Sequence, residues 1–220
     1  MCGIIGYVGD RDASFILVQG LKRLEYRGYD SAGVATFHDG KIGVRRALGK
    51  LSNLENVLRE DPVTGSVGIG HTRWATHGRP SEQNAHPHRA GRIVVIHNGI
   101  IENYLELRAA LQSRGRRFSS ETDTEVISHL IDECVQNGLE FVAAARKAIA
   151  QLEGSFSIVV MHEDCPDRLI AAKSATPIVI GLGDNENFIA SDIPAILDHT
   201  RRVLFLEDGE MAEVSRDAVK

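Results

Sequence analysis

The order of hydrophobic periodicities is what most constrains the fold of this 220-residue chain. Strand-like apolar runs come first, near Ile4–Val8, Gly33–His38, Ile42–Ala47, Val67–Thr72 and Ile93–Asn98, with two helical stretches among them. The first of these helices starts at an Asp12 or Ser14 cap and runs to about Tyr26, with Phe15, Leu17, Val18, Leu21 and Leu24 as its apolar stripe. The second covers Leu51–Arg59. Three helical stretches follow, Ile101–Arg114, Thr122–Gln136 and Glu140–Leu152. Strand-like runs then return at Phe156–His162, Leu169–Lys173, Ile178–Leu182, Phe188–Ala190, Val203–Leu206 and Met211–Val214. Grouped strands and grouped helices argue for an α+β fold with largely antiparallel sheets, rather than alternating βαβ units. Asp39-Gly40 and Asp208-Gly209 read as hairpin turns. No linker is long enough to divide the chain, so one layered domain is expected.

Several function classes are disfavoured. The chain carries 25 basic and 30 acidic side chains, and no dense basic run. That argues against nucleic acid and anionic membrane as partners. No apolar stretch approaches the roughly 20 residues that span a bilayer. The N-terminus lacks a basic n-region, so the cytoplasm is the expected compartment. Cys2, Cys134 and Cys165 lie far apart, an odd set that is neither a disulfide framework nor a zinc clamp. Five of the nine histidines fall between His71 and His97, yet none has a ligand-spaced Cys or carboxylate partner. Gly181-Leu182-Gly183 opens no helix that could face a phosphate. Neither a metal nor a cofactor is expected.

Four places could carry chemistry. Removal of Met1 would leave Cys2 with a free α-amine beside its own thiol. An amine with a pKa of about 7.7–8.0 is a competent general base near neutrality. By position alone, Cys2 could equally be a small residue at a strand start. In the His71–Gly78 block an apolar strand runs into a Gly- and Pro-punctuated loop. There Arg73 could clamp a carboxylate, and Trp74, the only tryptophan, could cover a ligand. Asn98-Gly99 could form an oxyanion hole or a plain turn. In Ser120–Glu125, Thr122 and Glu125 fit a capping box, leaving Asp123 in the first helical turn to meet an ammonium.

Read together, Cys2-Gly3-Ile4-Ile5-Gly6, Glu25–Gly33, His71–Gly78, His97–Asn103 and Ser120–Glu125 resemble the glutaminase domain of the glucosamine-6-phosphate synthases. These are class II glutamine amidotransferases that transfer nitrogen to fructose 6-phosphate. The resemblance implies the four-layer αββα sandwich of the N-terminal nucleophile hydrolases, over residues 1–220 as one domain. It implies Cys2 as nucleophile with its α-amine as base, and Asn98 and Gly99 as the oxyanion hole. It further implies Arg73 on the α-carboxylate of L-glutamine and Asp123 on its α-ammonium. Trp74, Thr76 and His77 would form the loop that closes over the substrate. Arg27 and His86 lie in family motifs and take supporting roles.

The partners implied are glutamine and the isomerase domains that follow in the full-length enzymes, which are expected to be absent from this chain. A monomeric fragment of a homodimeric enzyme is the corresponding expectation. The alternatives are the glutaminase half of another class II amidotransferase, and a non-catalytic glutamine-binding or docking module. A retained Met1 would displace the free amine by one residue, about 3.8 Å of Cα spacing, and favour the latter.

Overall fold

The structure, a computed structural model, describes residues 2–220. The question of Met1 therefore lies outside the described residues. The chain runs β1 (Gly3–Val8), α1 (Ala13–Arg23), β2 (Ser31–His38), β3 (Lys41–Leu48), α2 (Leu51–Glu60), β4 (Val67–Arg73), β5 (His88–Ala90), β6 (Ile93–Ile101), α3 (Tyr104–Ser113), α4 (Glu125–Gln136), α5 (Phe141–Ile149), β7 (Gly154–His162), β8 (Arg168–Ser174), β9 (Val179–Leu182), β10 (Asn187–Ala190), β11 (Val203–Phe205) and β12 (Met211–Ser215).

Local chemistry accounts for several of these boundaries. Asp12 caps α1 by accepting from the Ser14 N–H at 3.0 Å, a contact typically worth about 1 kcal/mol. Asp39 and Gly40 both adopt the left-handed backbone that a two-residue hairpin between β2 and β3 requires. The expected apolar stripe of α1 is buried at Leu17, Val18, Leu21 and Leu24 and fails at Phe15. Ala13, Ile16, Leu17, Leu21 and Leu24 are buried, but Phe15 is exposed. The buried set follows the i, i+3, i+4 pattern of a single helix face, and Phe15 stands off it.

The strands form two sheets. The larger has the order β11-β9-β10-β1-β4-β2-β3 and the smaller β12-β8-β7-β6-β5. Every strand pairing within them is antiparallel. The Asp208-Gly209 turn is not a hairpin. β11 pairs with β9 and β12 with β8, so this turn carries the chain from one sheet to the other.

Alternate residues of one strand serve different layers. Ile4 joins Ile69, Val94, Ile96 and Val159 in the core between the sheets. Its neighbour Ile5 faces outward, into Leu17 and Leu21 of α1 and Leu51 and Leu54 of α2. On the opposite side, Ile93 and Val95 of β6 face Val126, Leu130 and Ile131 of α4 and Ala144 and Ala148 of α5. Two sheets packed face to face and covered by helices on both outer faces make a four-layer αββα sandwich. No helix among the described residues is long and apolar enough to cross a membrane.

Candidate functional site

The register of the larger sheet builds one end of the site. β1 and β4 are antiparallel, with Gly3 opposite Thr72. The start of β1 therefore lies beside the end of β4, and Cys2 meets Trp74. The Trp74 N–H donates to the Cys2 sulfur at 3.2 Å. β6 of the smaller sheet brings Asn98 across the sandwich, where its Nδ2 lies 3.2 Å from the Cys2 carbonyl oxygen. Arg27 also donates to that carbonyl, at 3.2 Å. It donates as well to the Ser191 carbonyl at 3.2 Å and to the Asp192 carboxylate at 2.8 Å. Gly99 sits at φ 116°, and a Cβ there would collide with the Ser155 carbonyl. Only glycine holds that position without strain.

These residues open onto a cavity of about 430 Å³, within the usual range for small-molecule sites. Cys2, Arg27, Arg73, Trp74, Thr76, His86, Asn98, Gly99 and Asp123 all line it. His77 does not. Its carbonyl accepts from Arg73, its Nδ1 lies 3.9 Å from Asp123, and its ring stands edge-on to Tyr104. It belongs to the frame of the loop rather than to the cavity wall.

Two buried opposite charges share the cavity. The Arg73 Nη2 donates to the carbonyls of His77 and Gly78, while Nη1 is buried with no protein partner. Burial lowers the Arg73 pKa from its usual value, since a cation there has lost hydration. Asp123 is 4% exposed and accepts from the Ile101 N–H at 2.9 Å. Burial likewise pushes the Cys2 thiol up, against the opposing pull of the Trp74 N–H. Trp74 itself is 55% exposed. It rests over Gly28, where a Cβ would meet the indole at 2.6 Å.

The Thr122–Glu125 capping box does not form. Glu125 turns back to accept from the N–H groups of Ser119 at 2.8 Å and Ser120 at 2.6 Å. Thr122 bonds to the Ser120 hydroxyl and to His88. Burial alone would raise the Glu125 pKa, but the nearby His129 ring, 3.6 Å away, and hydrogen bonds from Ser119 and Ser120 outweigh it and hold the group below the usual carboxylate range. The result is a buried anion that fastens the loop presenting Asp123.

His71, His86, His88 and His97 pack as neutral side chains. His86 lies 4.1 Å from the His71 ring and 4.7 Å from that of His88, centroid to centroid. Burial lowers His71 and His88 to about 3, and depresses His86 and His97 as well. His86 Nε2 and His97 Nδ1 both contact the Thr124 hydroxyl, at 2.8 and 3.0 Å. Among the described residues, no group of three or more metal-ligating side chains is arranged around one point.

The sequence reading missed several contributors. His97, Thr124, Ser155, Thr176 and Pro177 line the cavity. Asp30 accepts from the Ala75 N–H at 2.6 Å and so anchors the loop after Arg73. Asp30 sits in the Glu25–Gly33 run, whose density of charged and aromatic residues was the available signal. Nothing in the sequence spacing marks Thr176, which a separate strand connection delivers.

The glutamine amidotransferase domain family matches residues 71–198. Over its full length the chain is 53% identical to a Thermus thermophilus protein named glutamine–fructose-6-phosphate aminotransferase [isomerizing]. It is 56% identical to the protein of that name from Gloeobacter violaceus, again over its full length. It spans only 36% of either relative. The whole chain also superposes on 48% of the glutamine phosphoribosylpyrophosphate amidotransferase of B. subtilis, with a TM-score of 0.86 at 27% identity.

Proposed function

The chain belongs to the glutamine amidotransferase domain family, and on that premise we propose that it hydrolyses L-glutamine to glutamate and ammonia through a thioester on Cys2. The observation that carries the proposal is the sharing of one cavity by a thiol, an oxyanion-type amide and two opposite buried charges. Free glutamine presents a carboxylate and an ammonium at one end and a neutral amide at the other. The unpartnered Nη1 of Arg73 suits the carboxylate, and Asp123 suits the ammonium. The side-chain amide then extends toward Cys2.

The chemistry follows from those positions. With Met1 removed, the α-amine of Cys2 takes the thiol proton and the sulfur attacks the amide carbon. The negative oxygen of the tetrahedral intermediate lies with Asn98 Nδ2 and the Gly99 N–H. One such donor is typically worth about 2.7–4 kcal/mol in the transition state. The protonated amine then gives its proton to the leaving nitrogen, and ammonia departs as the thioester forms. Water, deprotonated by the same amine, attacks the thioester. Glutamate leaves and the thiol is regenerated. Arg27 supports the site by holding the Cys2 carbonyl, and His86 by packing on the His71 ring. Trp74, Thr76 and His77 form the covering loop.

We assign the domain, over residues 1–220, to the supply of ammonia for glucosamine 6-phosphate synthesis. The much higher identity to the fructose-6-phosphate aminotransferases than to the phosphoribosylpyrophosphate enzyme supports this branch. The sugar step belongs to isomerase domains of the longer relatives. The protein works in the cytoplasm, this domain alone is monomeric, and the full-length enzyme is a homodimer. Incubation with glutamine and fructose 6-phosphate tests the assignment. Glutamate and ammonia without amino sugar is the expected result, and amino sugar made by these 220 residues alone would overturn the division of labour.

A further inference from the structure

We propose that His71 is a positioning residue for the oxyanion donor, its Nε2–H holding Oδ1 of Asn98 so that the amide N–H faces the cavity beside Cys2. The inference rests on the reading of Asn98 as that donor. It follows from a chain of donors and acceptors with one consistent solution. The Cys2 carbonyl oxygen can only accept, so the Asn98 atom 3.2 Å from it is the amide nitrogen. Oδ1 of Asn98 is then the atom 2.9 Å from His71 Nε2. Oδ1 also only accepts, so the proton of the neutral imidazole sits on Nε2. Nδ1 is left bare, in keeping with its lack of a partner.

The opposite tautomer fails on both sides. A bare Nε2 would set a lone pair against Oδ1. Flipping the amide to relieve that contact would set Oδ1 against the Cys2 carbonyl. With Nε2 protonated, one N–H of the amide is spent on the Cys2 carbonyl and the second remains for a developing oxyanion.

The fold keeps the ring from swinging. His71 lies inside β4, opposite Ile4 of β1 and Gly33 of β2, and is fully buried. Its ring packs on His86, which Thr124 tethers in turn. Burial also keeps the ring neutral, so no second charge competes with the oxyanion for the amide.

A double-mutant cycle tests the proposal through glutamate release. Asn98→Ala should lower kcat by about 10²–10³-fold. His71→Leu should lower kcat by roughly 10-fold or more while KM for glutamine stays within about twofold, the mark of a transition-state effect. In the Asn98→Ala background, His71→Leu should cost nothing further. His71→Gln should recover most of the loss, since its amide nitrogen can replace the Nε2 donor.

The outcomes separate the two readings. An unchanged kcat in Asn98→Ala would remove the oxyanion assignment and this proposal with it. A normal kcat in His71→Leu beside an impaired Asn98→Ala would overturn the positioning role alone. So would an equal loss from His71→Leu in both backgrounds. If His71→Leu does not fold, ¹⁵N NMR of the unaltered protein decides. A neutral His71 protonated on Nε2 between pH 6 and about 8 is expected, and protonation on Nδ1 would overturn the proposal.

Discussion

The backbone N–H of Trp74 donates to the thiol sulfur of Cys2 across 3.2 Å. The contact joins the residue that follows β4 to the residue that precedes β1, 72 positions apart in sequence. It ties the proposed nucleophile to the loop that would cover its substrate. The same sulfur lies 3.6 Å from the Trp74 carbonyl oxygen, so the thiol is held from both polar ends of one residue. Movement of the loop and the reactivity of the thiol are therefore expected to be linked.

Cys2 should be the only thiol that a glutamine analogue bearing an electrophile modifies at stoichiometric dose. Cys134 is buried in α4, and neither it nor Cys165 lines the cavity that holds Cys2. Peptide mass mapping checks this. Cys2→Ala should abolish glutamate release, and modification mainly at Cys165 with loss of activity would contradict the assignment.

Arg73→Lys and Asp123→Asn should each raise KM for glutamine by roughly 10- to 100-fold, the scale of one charge-assisted hydrogen bond. A lysine ammonium cannot reproduce the guanidinium fork. It would also release the carbonyls of His77 and Gly78 that Arg73 now holds. Steady-state kinetics over a wide glutamine range measures both effects. An unchanged KM in the two variants would rule out this pair as the clamp.

Glutamine should change the fluorescence of Trp74 even where Cys2→Ala prevents turnover. Trp74 is the only tryptophan and stands 55% exposed, so closure of the loop would alter its surroundings. The titration should saturate. A flat signal at saturating glutamine would count against loop closure and leave the chemistry untouched.

Stability should fall as the solution is acidified below about pH 6.5. His71 and His88 are held at about 3 in the fold, against 6.5 when unfolded. Between those values the unfolded chain binds protons that the native one refuses. Their stabilisation is thus fully present above pH 6.5 and is lost progressively as pH falls toward 3. Each fully depressed histidine contributes a slope of about 1.4 kcal/mol per pH unit. Urea unfolding at pH 7, 6 and 5 should show the midpoint dropping before the carboxylates titrate. A midpoint independent of pH over that range would mean that these rings are not buried as neutral groups.

Much of this was legible in the sequence, for identifiable reasons. β1 and β6 carry dense apolar runs, and β4 sets Val67 and Ile69 among glycines ahead of a polar His71-Thr72-Arg73 end, which located them. Their layering was less legible. Both faces of β1 are buried, Ile4 toward one core and Ile5 toward another, and a strand buried on both faces loses the alternation that marks layers. The destination of the chain after Asp208-Gly209 was not legible either. A tight turn specifies a reversal, while the pairing of β12 with β8 depends on residues far away in sequence. At the site, residue chemistry singled out Cys2, Arg73 and Asp123. The Asn98–His71 contact joins residues 27 positions apart, and Glu125 took its hydrogen bonds from Ser119 and Ser120 rather than completing a cap with Thr122. Such partnerships depend on tertiary placement, which no local motif encodes.

The central claim is that Cys2 acts with its own α-amine, and a paired assay tests it most directly. Two preparations are compared by intact mass and by glutamate and ammonia release: one beginning at Cys2, the other retaining Met1. The account predicts equal amounts of glutamate and ammonia from the chain that begins at Cys2, and loss of nearly all turnover where Met1 keeps that nitrogen in a peptide bond. Equal activity in the two preparations, or no hydrolysis by the folded chain that begins at Cys2, would contradict it.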